Sequence, residues 1–179
     1  MTKREPASRN PKKLNRIKTK SEKLFVNIFD DYVVLDVDCD GQARRRVNSA
    51  ECFRVRGGVR VADINCPNFY HPIEGSVPLD YFSQELTRFL QGLPIVCYRV
   101  HYIRELIEYE LHFHGFDGFI SYVGIEEIAK AKFKQDLQFW DLMEKFDLCD
   151  MYSNEVRSGE IFATWVFDIH RIYEKLKQV

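Results

Sequence analysis

The sequence predicts one α/β domain: a mixed β-sheet that opens with antiparallel strands, is flanked by helices, and is followed by a long C-terminal helix. Three observations carry that expectation. Strand-like apolar runs come first, two of them joined by Gly57-Gly58. A helix–strand–helix–strand alternation follows over residues 79–123, and the rest of the chain reads as helix. Strands, then alternation, then helices is an α/β layout, and 179 residues at 45% hydrophobic content are enough for one core.

Taken in order, residues 31–38 hold the apolar run Tyr32-Val33-Val34-Leu35 and predict a buried strand. Residues 51–56 and 59–65 predict a hairpin, because Gly57-Gly58 suits a primed turn whose two central residues both need positive φ. Val47 belongs to the strand that precedes or joins it. Residues 67–78 hold three prolines and predict a loop. Residues 79–90 place Leu79, Phe82, Leu86, Phe89 and Leu90 on one helical face, ending at Gly92. A short buried strand is expected at 94–98, and a helix at 102–114 with Leu106, Ile107, Glu110 and Leu111, closed by Gly115. A second short strand at 119–123 precedes helical segments at 125–133, 137–146 and 155–177. No internal repeat is visible.

The formal charge of -1 hides an asymmetry. Residues 1–20 carry eight basic residues and one acid, a net +7, which leaves -8 for the rest. Residues 1–22 therefore read as a disordered basic tail and 23–179 as the single domain. Within the tail, Lys12, Lys13, Arg16, Lys18 and Lys20 are candidates to neutralise phosphates of DNA or RNA. The alternative is a solubilising or appended segment with no ligand. No apolar stretch reaches the roughly 18 residues of a membrane span and the N-terminus has no apolar leader, so a cytoplasmic protein without membrane association is expected. The five cysteines, with no Cys-x-x-Cys pair, predict reduced core thiols.

The candidate chemistry begins at Asp36-Val37-Asp38-Cys39-Asp40-Gly41, at the end of the first strand. An EF-hand loop opens the same way but needs a bidentate Glu at its twelfth position, where this chain has Val47. A phosphatase of the haloacid-dehalogenase type also opens with a strand and Asp-x-Asp, yet the later Lys and acidic Gly-Asp stretch have no counterpart. Two acids at alternate strand positions point to one side of a sheet, as a shared divalent cation requires.

From Tyr32 onward the chain resembles the DnaQ-type 3′→5′ exonucleases of the ribonuclease-H-like superfamily. Their first motif is a strand followed by Asp-x-Glu, here Asp36-Val37-Asp38. Their second motif, Val-Ala-His-Asn-x-x-Phe-Asp at a strand-to-helix junction, is matched in frame by Val96-Cys97-Tyr98-Arg99-Val100-His101-Tyr102-Ile103, then Leu106-Ile107, Glu110-Leu111 and Gly115. The similarity spans about residues 31–178 and rests on pattern more than on identities. It implies a ribonuclease-H-like fold and a site in which four carboxylates hold two Mg²⁺ or Mn²⁺ ions that activate water.

Within that frame the chemical residues are replaced. The metal-binding Asp of the second motif falls on Ile103 and its Asn on Arg99. With Ala163-Thr164 as the third motif's Ala-Thr pair, the general-base His falls on Glu155 and the last Asp on Glu160. Isoleucine supplies no ligand, Asp38 is one methylene shorter than Glu, and an ordinary carboxylate is a weak base at neutral pH. The expectation is a degenerate member of the family. Asp36, Asp38 and Glu160 are the catalytic remnant, Asp36 and Asp38 the remnant metal ligands, and Arg99 brings positive charge to the pocket for nucleic acid or as a substitute cation. Such a protein would bind single-stranded DNA or RNA, or a protein partner. The alternative is an active metal-dependent exonuclease with a rearranged site, in which Glu105 or Asp141 replaces the lost ligand.

His112 and His114 stand two apart on a helix and so cannot chelate together. His101 reads as a cap or packing residue, and His71 and His170 have no evident partners. Trp140 with Phe139, and Trp165 with Phe162 and Phe167, read as core packing; base stacking by them would require a visible surface patch.

Overall fold

The computed structural model describes residues 28–39, 47–66, 79–113, 115, 118–149 and 164–179. The basic tail, the proline-rich loop and residues 155–163 of the expected final helix lie outside the described residues. Five strands form one mixed sheet in the order β3-β2-β1-β4-β5. Strands β1 (Tyr32–Cys39), β2 (Val47–Arg56) and β3 (Val59–Cys66) pair antiparallel. The short β4 (Ile95–Cys97) and β5 (Tyr122–Gly124) add in parallel on the other side of β1.

The turn between β2 and β3 forms as its sequence requires: Gly57 and Gly58 take φ of 54° and 78°, a pair of values that residues with a Cβ rarely adopt. Asp31 accepts a hydrogen bond from the Gly57 N–H at 2.9 Å, tying the turn to the start of β1.

Alternation along β1 separates two apolar layers. Tyr32 and Val34 face one side with Phe53, Val55, Val96 and Val123, and helices α3 (Ile125–Phe133), α4 (Phe139–Lys145) and α5 (Thr164–Gln178) cover them. Val33, Leu35 and Val37 face the other side, under α1 (Leu79–Leu90) and α2 (Val100–Phe113). Each such Val, Leu or Ile contributes about 1.5–3 kcal/mol when fully buried, so the central strand, sealed on both faces, is the anchor of the fold. Arg54 adds a polar tie: its guanidinium donates to the Phe89 carbonyl at the end of α1 and lies 4.6 Å over the Phe89 ring, where positive charge meets the negative end of the helix dipole.

Near the start of β1 the buried Tyr32 hydroxyl donates to Glu174 at 2.6 Å and lies 2.8 Å from Nδ1 of His170. One hydroxyl proton serves Glu174, so the neutral His170 tautomer that completes the pair carries its proton on Nδ1. His170 thus has a hydrogen-bond partner, Tyr32, that lies 138 residues away in sequence.

Several expectations shift. The strand expected at 119–123 is Tyr122–Gly124, because the pairing of Ile95 with Tyr122 fixes where the ladder starts; Phe119 is 93% exposed. The second helix begins at Val100 rather than at residue 102. Cys52 and Cys97 are buried free thiols as expected, whereas Cys149 is exposed, and the side chains of Cys39 and Cys66 lie outside the described residues. Among the described residues no helix is long and apolar enough to cross a membrane.

Candidate functional site at the switch point of the sheet

From β1 the chain builds the sheet outward through β2 and β3, then returns and builds in the other direction through β4 and β5. The carboxyl ends of the parallel neighbours β1 and β4 therefore flank a topological switch point, where open α/β sheets place their ligands. Val34 of β1 is level with Val96 of β4. Two residues further on come Asp36, and Tyr98 just past the end of β4. The apolar row gives way to a polar one at that level.

Asp36 is half-buried and stands opposite Glu51 of β2. Burial, followed by the charge of Asp36, pushes the Glu51 carboxyl up to about 7, against the opposing pull of Arg60. Burial also holds the Cys97 thiol well above its ordinary value, and the charges of Glu126, Asp36 and Glu127 add to that rise.

The far wall of the switch point is the start of α2. No acid stands in the first turn of that helix, and the Val100 N–H is instead capped by Glu126 Oε1 at 2.8 Å. Gly124 makes the approach possible: a Cβ there would lie 3.1 Å from Val100 Cβ and 3.2 Å from Glu126 Cδ. Burial raises the Glu126 carboxyl, with the Val100 hydrogen bond acting against the rise.

Arg99 occupies the left-handed region with φ of 54° and is exposed; its guanidinium lies 5.2 Å over the Tyr102 ring and 5.9 Å from the Tyr98 ring. The Tyr98 hydroxyl donates to Gln138 Oε1 at 3.2 Å and accepts from the Phe139 N–H at 3.3 Å. From Tyr98 an aromatic series continues through Phe139, centroids 5.3 Å apart, to Trp165, stacked on Phe139 at 4.8 Å and 14°. Trp140 stands nearly perpendicular to Phe139 and Trp165, at 5.7 and 6.2 Å. These aromatics are only partly the core that the sequence predicts. Phe139 is buried and Trp165 half-buried, but Trp140 is 52% exposed. Phe167 also reaches the surface, stacked on Phe53 at 5.4 Å with Arg60 4.9 Å above it.

Of the four carboxylate positions that the resemblance implies, Asp36 and position 103 can be placed with their side chains. Ile103 is 0% exposed and packs in the α1–α2 layer, across the sheet from the layer of Tyr32 and Val34. It has no donor atom, so position 103 supplies no ligand to a Mg²⁺ or Mn²⁺ ion. Asp38 lies in β1 opposite Ser49. The Asp38 side chain, Asp40, Glu155, Glu160, Lys12, Lys13, Arg16, Lys18, Lys20, Phe162, His71 and His114 lie outside the described residues. Among the described residues, no group of three acids, histidines or cysteines is placed to hold a metal ion.

The proposed substitutes sit elsewhere. Asp141 is the third helical residue of α4 and accepts the Gln138 N–H at 2.8 Å in a capping box. Glu105 is on the exposed side of α2. His101 is exposed, 3.8 Å from Glu127, and His112 is exposed too. The Asp36–Glu51 pair and the Arg99–Tyr98–Tyr102 group escape the sequence because strand register and a left-handed backbone set them.

No protein-family model matches the chain, and no curated protein matches it.

Proposed function

We propose that this is a ribonuclease-H-like protein of DnaQ type that has lost two-metal hydrolysis and binds single-stranded DNA or RNA at the switch point. The mixed sheet, opening antiparallel and then adding parallel strands between two helical layers, supports the fold assignment. The observation that carries the loss of hydrolysis is Ile103: the frame position of a metal ligand is a fully buried aliphatic side chain. Arg99, exposed beside the strand ends, and the basic residues of the N-terminal tail support the binding role.

The test incubates the full chain and Asp36→Ala with labelled single-stranded DNA and RNA, with Mg²⁺ or Mn²⁺. No metal-dependent degradation by either is expected. Filter binding should weaken with salt. Changing Lys12, Lys13, Arg16, Lys18 and Lys20 together to Ser should flatten that dependence by about 0.7 in log–log slope per lost phosphate contact. Degradation that disappears in Asp36→Ala would overturn the proposal and return an active exonuclease; absence of any salt-dependent binding would point to a protein-interaction module.

A further inference from the structure

We propose that Trp140, backed by Phe139 and Trp165 and joined through Phe139 to the Tyr98 ring on which Arg99 rests, is a stacking platform for the unpaired bases of single-stranded nucleic acid; this site rests on the nucleic-acid reading above. Every base has a π-face, so such a platform binds any sequence, while adjacent cations track the backbone. Trp140 offers half of its surface to solvent. Its position is set in advance: Phe139, the preceding residue, is buried against Tyr98 and Trp165, and the Gln138–Asp141 capping box fixes the start of α4. A ring already held in place loses little freedom when a base stacks on it.

The charges divide the site. Arg99 rests its guanidinium on the rings of Tyr98 and Tyr102 and remains exposed, a planar cation suited to a phosphate. Asp141 is engaged with the Gln138 N–H at the positive end of α4, and Glu127 faces His101. Asp36 and the partly protonated Glu51 disfavour phosphate at the strand ends, whereas the exposed Arg99 attracts it. A peptide would use the same aromatic surface, but the exposed guanidinium of Arg99 favours a polyanion as the ligand.

Both tryptophans of the chain belong to this cluster, so intrinsic fluorescence reads it without a label. The full chain is titrated with a short oligothymidylate and with an abasic phosphodiester oligomer of equal length. The oligothymidylate is expected to bind more tightly and to quench tryptophan emission. Trp140→Ala should weaken its binding about tenfold and leave the abasic oligomer unaffected, while Trp140→Phe retains most of the affinity. Arg99→Gly removes the cation from a position where glycine fits the backbone, and should weaken both oligomers. Equal affinity for the two oligomers with unchanged emission overturns the platform and leaves charge-driven binding standing. Binding of neither removes the nucleic-acid reading as well. Quenching by a proline-rich peptide but not by the oligothymidylate overturns the platform in favour of peptide docking.

Discussion

Asp36 and Glu51 stand directly opposite one another on neighbouring antiparallel strands, which places their carboxylates on one side of the sheet. Two acids at such a spacing oppose each other's ionisation, and the Glu51 carboxyl is raised first by burial and then by the charge of Asp36.

The first prediction follows from the sign of that shift. The folded state favours protonated Glu51, so its contribution is complete below the ordinary value of 4.5 and is lost as pH rises through about 7. Glu51→Gln is expected to leave stability near pH 4 unchanged. Near pH 8 it should raise stability by about 1–2 kcal/mol, a figure reduced for the group's partial exposure. Urea unfolding at the two pH values checks this; equal stability of the two proteins near pH 8 would contradict it.

A second concerns the hydroxyl at the start of β1. Tyr32→Phe removes the donor to Glu174 and the partner of His170, and should cost about 1–3 kcal/mol with an unchanged denaturant slope. Burial lowers the His170 pKa below its ordinary 6.5 while Glu174 raises it. The histidine should therefore titrate below that value by NMR, and lower still in Glu174→Gln. The stability His170 contributes is present above 6.5 and declines as pH falls toward its folded value.

Gly124→Ala tests the close approach of β5 to α2. The new methyl would press on Val100 and on the Glu126 carboxyl, and a loss of about 1–3 kcal/mol in thermal or denaturant unfolding is expected. A neutral result would mean that the cap yields without cost.

Ile103→Asp tests the metal-ligand frame itself. If position 103 were a ligand site lacking only its carboxylate, the change would restore metal-dependent degradation. Because Ile103 is sealed in the α1–α2 layer, the expected outcome is destabilisation of more than about 4 kcal/mol and no gain of nuclease activity.

Much of the fold was legible because it is written locally. The periodicity of residues 79–90 and 125–133 gives the bounds of α1 and α3, and Gly57-Gly58 gives the hairpin turn. The site was less legible because its determinants are distant or conformational. The cap of α2 comes from Glu126, 26 residues beyond Val100, so no N-cap residue marks where the helix begins. Phe119-Ile120 reads like a strand, but β4 offers its ladder only from Tyr122. Trp140 has the composition of core and the position of surface, since α4 turns its neighbour Phe139 inward. Apolar spacing showed that Ile103 belongs to a helix, but not which layer it enters.

The carboxylate that caps α2 also bears on how the chain reaches its native state. Val100 opens the helix after β4, whereas Glu126 belongs to the helix after β5, so neither strand–helix unit is complete until the other has docked. The two units should gain protection from hydrogen exchange together, as one cooperative block. A chain ending at Gly115 would carry an α2 without its cap, while a circular permutant opened at the same glycine would keep both partners and the order in which they close.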